Sequence, residues 1–188
     1  MAKSRAEYPV DRAVLLKSAN KLLTVVSERA TPEQWAQWLE LPFRLAAAVG
    51  DIDLVHDLLI AGAQACYPLH LLVNSGNASL MRNLLNRGLD TNARDSAGDS
   101  PLHVAASRGN AELASLLLLR GADPNLPNAD RMSPLLVAAK EGHADAVKTL
   151  LEAGADVTLR NRDDCSALDL AATGGNIRVV KHLSLIHI

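Results

Sequence analysis

Aromatic side chains are nearly missing from this chain: two Trp, two Tyr and one Phe among 188 residues. Strand-built cores draw on β-branched and aromatic residues in alternation, and no such alternation runs through the sequence, which argues against an all-β fold. The same scarcity leaves few rings on which nucleic-acid bases could stack. An excess of one charge is lacking too. The net charge of −2 supplies no general attraction to nucleic acid or to an anionic membrane. No stretch approaches the ~18 continuous apolar residues of a membrane span. The opening MAKSRAEYPVDR carries charge but no apolar run, so it does not read as a secretory signal. Cysteine is limited to Cys66 and Cys165, far apart and outside any CxxC spacing. That usage points to reduced thiols in an intracellular compartment, cytoplasmic or nuclear.

Hydrophobic residues nevertheless make up 48% of the chain, so Leu, Ala and Val must do the packing. Small and aliphatic side chains suit closely spaced helices, and 188 residues suffice for one or two domains with a substantial core. Charge is unevenly spread. Residues 1–30 set Lys3, Arg5, Arg12, Lys17, Lys21 and Arg29 against Glu7, Asp11 and Glu28, a net +3 that leaves −5 for the remainder. A weakly basic first helix reads as a solvated face.

Internal repetition is the dominant signal. Ser100 to Asn110 (SPLHVAASRGN) aligns with Ser133 to His143 (SPLLVAAKEGH) and with Ser166 to Asn176 (SALDLAATGGN). Pro101, Pro134 and Ala167 fall 33 apart, as do Gly109, Gly142 and Gly175, and one step back from Pro101 lands on Pro68. Each unit has a physical reading. Ser100 is placed to cap a helix whose first position is Pro101, where a missing N–H costs nothing. Leu102, Ala105 and Ala106 form a short apolar face, and Gly109 ends the helix in a left-handed conformation. A second helix follows with Leu113, Leu117 and Leu118 inward until Gly121. Gly154 is its counterpart one step later. The Asp-, Asn- and Pro-rich stretch Ala122 to Met132 then suits an extended hairpin loop.

These units resemble ankyrin repeats. The family pattern TPLHxAA, a Gly-His/Asn turn, a leucine-rich helix and GADxN is present as SPLHVAASRGN…LLLLRGADPN and again as SPLLVAAKEGH…LLEAGADVT. The resemblance covers Leu41 to Leu183 and implies an all-α solenoid of helix-turn-helix units with short β-hairpin loops. The units are placed at 41–64, 65–94, 95–127, 128–160 and a partial 161–183. Pro42 and Pro68 are 26 apart, so the hairpin between the first two units is expected to be shortened or absent. Gly98 at the hairpin tip is replaced by Arg131 and Asp164 in later units, and those turns are expected to be strained or differently shaped.

Residues 1–40 read as a helical extension that caps the first unit. Leu15, Ala19, Leu22 and Val26 lie on one helical face, and Thr31-Pro32-Glu33-Gln34 opens a second helix carrying Trp35, Trp38 and Leu39. At the other end the pattern stops short. The terminal LSLIHI resembles the translation of a sequencing-library adapter, so 184–188 is suspected to be a non-native tail and the chain to continue past residue 183.

No constellation of catalytic or metal-ligating residues emerges, and no cofactor is expected. By the resemblance, His70 and His103 hydrogen-bond backbone near the hairpins and tie neighbouring units, and His143 sits at an inter-helix turn. His56 has no convergent third ligand. Neither cysteine has a His partner at a recognisable spacing, and neither GxxxxGK[ST] nor GxGxxG occurs. The resemblance implies instead a non-enzymatic, monomeric adaptor or scaffold that binds a protein, or alternatively the N-terminal recognition fragment of a larger multidomain effector, with no nucleic-acid or membrane partner. Its contact positions on the concave face of hairpin tips and first helices map onto Ser96, Ala97, Asp99, Ser107 and Arg108. In the next unit they are Ala129, Asp130, Met132, Lys140 and Glu141, and in the last Arg162, Asp163, Cys165 and Thr173. Met132 is expected to be a small apolar anchor with a polar rim.

Overall fold

A computed structural model describes Phe43, Ala46, Leu54, Val55 and residues 68–184. The chain divides into two compact units, Met1–Cys66 and Tyr67–Ile188. In the first, Phe43, Ala46, Leu54 and Val55 are helical and buried. The expected capping helices of residues 1–40, the shortened first hairpin, Cys66, His56 and the tail beyond Ser184 lie outside the described residues.

In the second unit a serine followed by proline or alanine starts three of the first helices, and the reason is local. Ser100, Ser133 and Ser166 are extended, and each hydroxyl accepts the backbone N–H three residues on. That satisfies one of the donors a helix start leaves without a partner. The elements are α1 (Pro68–Ser75), α2 (Ala78–Leu85), α3 (Pro101–Ser107), α4 (Ala111–Leu119), α5 (Pro134–Glu141), α6 (Ala144–Glu152), α7 (Ala167–Thr173) and α8 (Ile177–Ser184). Each odd-numbered helix pairs with the even one after it. The odd helices stack in order on one another, and the even helices do the same in a second layer.

Packing falls where the period places it. Leu102, Ala105 and Ala106 of α3 and Leu135, Leu136, Ala138 and Ala139 of α5 are at most 1% exposed. Leu113 and Leu117 of α4 are fully buried. Leu118, expected inward beside them, is only half-buried, because the four successive leucines Leu116 to Leu119, at about 100° per residue, cannot share one face. Leu119 turns fully outward at 77% exposure.

Between helices, Gly109, Gly142 and Gly175 are left-handed (φ 67, 79 and 67). Close approach reinforces the choice at two of them. A Cβ on Gly109 would lie 2.6 Å from His143 Nδ1, and one on Gly142 would lie 2.5 Å from Asn176 Oδ1. Among the described residues there is no strand. The hairpins are tight turns closed by one backbone rung each: Asp95 N–H to Asp99 O at 2.9 Å, Asn128 N–H to Met132 O at 2.9 Å, and Asn161 N–H to Cys165 O at 3.1 Å. Arg131 and Asp164 take the left-handed conformation of Gly98 (φ 58 each, against 77). Their turns are therefore not differently shaped, and the i→i+3 bond recurs at 2.9, 3.1 and 3.2 Å. The non-glycine residues instead carry a conformational cost of about 1–2 kcal/mol each.

Candidate protein-binding surface

Three hairpins are built on one side-chain device. Asp95, Asn128 and Asn161, spaced by 33, each use Oδ1 to accept the N–H groups two and four residues on, at 2.9–3.0 Å. An Asx side chain that mimics a turn carbonyl fixes the loop without a hydrophobic core of its own. A second ladder runs through the loops after the even helices. Asn92 Oδ1 accepts from Asp123 N–H at 2.9 Å, and Asn125 Oδ1 accepts from Asp156 N–H at 2.7 Å. Asp156 is held below the usual carboxylate range by the hydroxyl and N–H of Thr158. In the sequence these loops stand out only as rich in Asp and Asn. The signal that distinguishes the ladder is the recurrence of the same residue type at the same step.

His70 and His103 tie each unit to the hairpin that follows. His70 Nε2 donates to Asp99 O at 2.7 Å and His103 Nε2 donates to Met132 O at 2.9 Å. On the other side of the His103 ring, Nδ1 accepts the Ser100 N–H at 3.1 Å and faces the Ser100 hydroxyl at 2.8 Å. Both contacts are buried, and they require the neutral ring with its proton on Nε2. Burial accordingly pushes the His103 pKa down, partly offset by the Met132 carbonyl and by Asp99. At Ser166 the place of this histidine is taken by Asp169, whose Oδ2 accepts the Ser166 hydroxyl at 2.7 Å and its N–H at 2.9 Å. Those bonds and nearby Arg160 hold the Asp169 carboxyl below its ordinary range. His143 Nε2 donates to Ser107 O at 3.0 Å, and Asn176 Nδ2 donates to Ala139 O at 3.2 Å, so both turn residues reach back to the preceding unit.

The expected contact positions separate into two groups. Ser96, Ala97, Ser107, Arg108, Ala129, Asp130, Lys140, Glu141, Arg162, Asp163 and Thr173 are exposed. Asp99 and Cys165 are half-buried, Asp99 accepting from Asn128 Nδ2 at 2.7 Å and the Cys165 thiol facing Asp163 O at 3.6 Å. Met132 corrects the expectation. It is only 9% exposed, with its N–H on Asn128 Oδ1 and its carbonyl on His103. The foot of the hairpin faces the core there, so Met132 packs the interior and is no exposed anchor. Arg162 is partly committed as well, donating to Ala129 O at 2.6 Å and lying 3.9 Å from the Asp130 carboxylate.

Among the described residues no three His, Cys, Asp or Glu side chains converge to hold a metal ion. No described helix is long and apolar enough to cross a membrane. The roles of Pro101 and Pro134 are structural, each at the first turn of its helix, and Pro68 opens α1 in the same register. Gly121 and Gly154 end the even-helix turns with φ of 84 and 85.

A search of curated proteins finds no match to the chain. The family model described as ankyrin repeats, in three copies, matches residues 43–128 and again residues 109–187, well over half of the sequence. With the 33-residue period, the stacked helix pairs and the histidine-to-hairpin bonds, this match shows that the chain belongs to the ankyrin repeat family.

Proposed function

We propose that the chain holds a protein partner against its hairpin tips and the exposed ends of its odd-numbered helices, acting as a non-catalytic, monomeric adaptor or scaffold. Ankyrin repeats are generally protein–protein interaction modules, which sets the class. The face is supported by one observation: side chains at equivalent positions of successive units are exposed and differ in character, while most of the bonds that hold the fold come from their neighbours. Arg108 and Glu141, Ser107 and Lys140, and Ala97 and Asp130 are such pairs, 33 apart and all exposed. Mixed charge of this kind fits a polar, protein-like counterpart. Two cysteines far apart in sequence and outside any CxxC spacing support an intracellular setting for the adaptor.

Combining Arg108→Ala, Asp130→Ala and Lys140→Ala is expected to weaken partner capture at least about tenfold, the scale of one or two truncated hot spots. Thermal stability should change little, since all three are exposed. The matching outer-layer set, Arg82→Ala, Glu112→Ala and Lys148→Ala, should leave capture intact. Capture that survives the first set and fails with the second would place the partner on the even helices.

A further inference from the structure

Successive hairpins are not joined alike. Four bonds hold the hairpin at 127–132 to the unit before it, three from the hairpin at 94–99 and one from α3. Arg94 donates to Pro127 O at 2.6 Å, Ala129 N–H to Ala97 O at 3.2 Å, Asn128 Nδ2 to Asp99 Oδ1 at 2.7 Å, and His103 Nε2 to Met132 O at 2.9 Å. One period later, between 127–132 and 160–165, the residue that would make each bond has changed. Pro127 stands where Arg94 stood and has no donor. Met132 stands for Asp99 and offers no carboxylate, and Leu136 stands for His103. The backbone bond fails for a steric reason. Gly98 admits Ala129 N so closely that a Cβ there would lie 2.9 Å from it, and Arg131, in the Gly98 position, carries that Cβ.

What replaces the four is exposed and charged. Arg162 donates to Ala129 O at 2.6 Å and pairs with Asp130 at 3.9 Å, their side chains 64% and 76% exposed. Away from the hairpins the same junction is intact. α5 packs on α7 and α6 on α8, Asn176 reaches Ala139 O, and Asn125 receives Asp156 N–H.

From this contrast we infer that the hairpin at 160–165 is a hinged flap, latched by Arg162 and able to lift from its neighbour while α7 and α8 stay packed. The latch is a surface contact that salt screens, whereas the preceding hairpin is locked through the buried His103. The flap carries Arg162 and Asp163, so opening re-aims the last part of the exposed face without unfolding the stack.

Amide hydrogen exchange on the full chain tests this, with rates corrected for intrinsic exchange. The N–H groups of Asn161, Asp164 and Cys165 are bonded within their own single-rung hairpin, which opens once it lifts from its neighbour. They are expected to exchange at least about tenfold faster than those of Asn128, Arg131 and Met132, whose hairpin stays docked. The gap should widen in 0.5 M salt, on the order of severalfold, while Leu170 and Val180 within α7 and α8 hold their rates. Arg162→Ala should reproduce the high-salt behaviour, and Leu136→His, which restores a donor to the Cys165 carbonyl, should slow the flap. Equal protection of the two hairpins would overturn the inference. So would a flap that exchanges in step with Leu170 at every salt concentration, because the whole last unit would then open together.

Discussion

His103→Ala is expected to lower the unfolding free energy by about 3 kcal/mol, measured by urea denaturation at pH 7.5. The ring is 1% exposed, and its removal leaves the Ser100 N–H and the Met132 carbonyl without this partner in a buried setting. Each such group costs about 1–3 kcal/mol, and the vacated volume adds a cavity term. His103→Leu fills much of that volume, as Leu136 does one period on, and should cost about 1 kcal/mol less. The same pair of variants reads out the proton. Because burial lowers the folded pKa of His103 below its ordinary 6.5, the unfolded chain binds more protons at this site as pH falls through that value. Stability from the neutral ring is therefore fully present above about pH 6.5 and declines as pH falls toward the folded pKa. His103→Leu should flatten that part of the pH profile. A wild-type profile matched by the leucine variant would show that the ring's charge state plays no part.

Gly98→Ala should cost about 3 kcal/mol, and Gly121→Ala about 1 kcal/mol. Both glycines are left-handed, with φ of 77 and 84, so both substitutions bear the left-handed penalty of about 1–2 kcal/mol. Only Gly98 has backbone in the way: its new Cβ would sit 2.9 Å from Ala129 N, whereas nothing lies within 4 Å at Gly121. Relief requires the next hairpin to move, which sacrifices the Ala129 to Ala97 bond and loosens its neighbours, for about 1–2 kcal/mol more. Equal losses in the two variants, measured by the same denaturation, would mean that the hairpins are not closely docked.

Much of the fold is legible in the sequence because the period repeats whole devices. Ser-Pro at a helix start, Ala-Ala on the packed face and Gly at the turn each have one local reason, and each recurs where the structure uses it, apart from Ala172 of α7, which is exposed. Three features are less visible. Met132 at a hairpin reads as an exposed anchor, and only the three-dimensional course of the loop shows that its side chain points into the core. The reciprocal cap at Ser100 uses histidine where a capping box ordinarily has Glu or Gln, so the usual pattern passes over it. Arg131 and Asp164 suggest altered turns, yet Asn128 and Asn161 each bind two N–H groups and hold the original geometry. That is tertiary and side-chain support overriding a backbone preference of about 1–2 kcal/mol.

The binding face itself can be tested by placing a photo-crosslinking amino acid at Ser107 or Lys140 on the odd helices, and at Glu112 or Lys148 on the even ones. All four side chains are exposed, so none of the insertions disturbs packing. A face built from hairpin tips and odd helices should give one saturable protein adduct from Ser107 and Lys140, competed away by unlabelled chain, and none from Glu112 or Lys148. The same adduct arising only from Glu112 and Lys148 would contradict that placement and assign recognition to the even-helix layer.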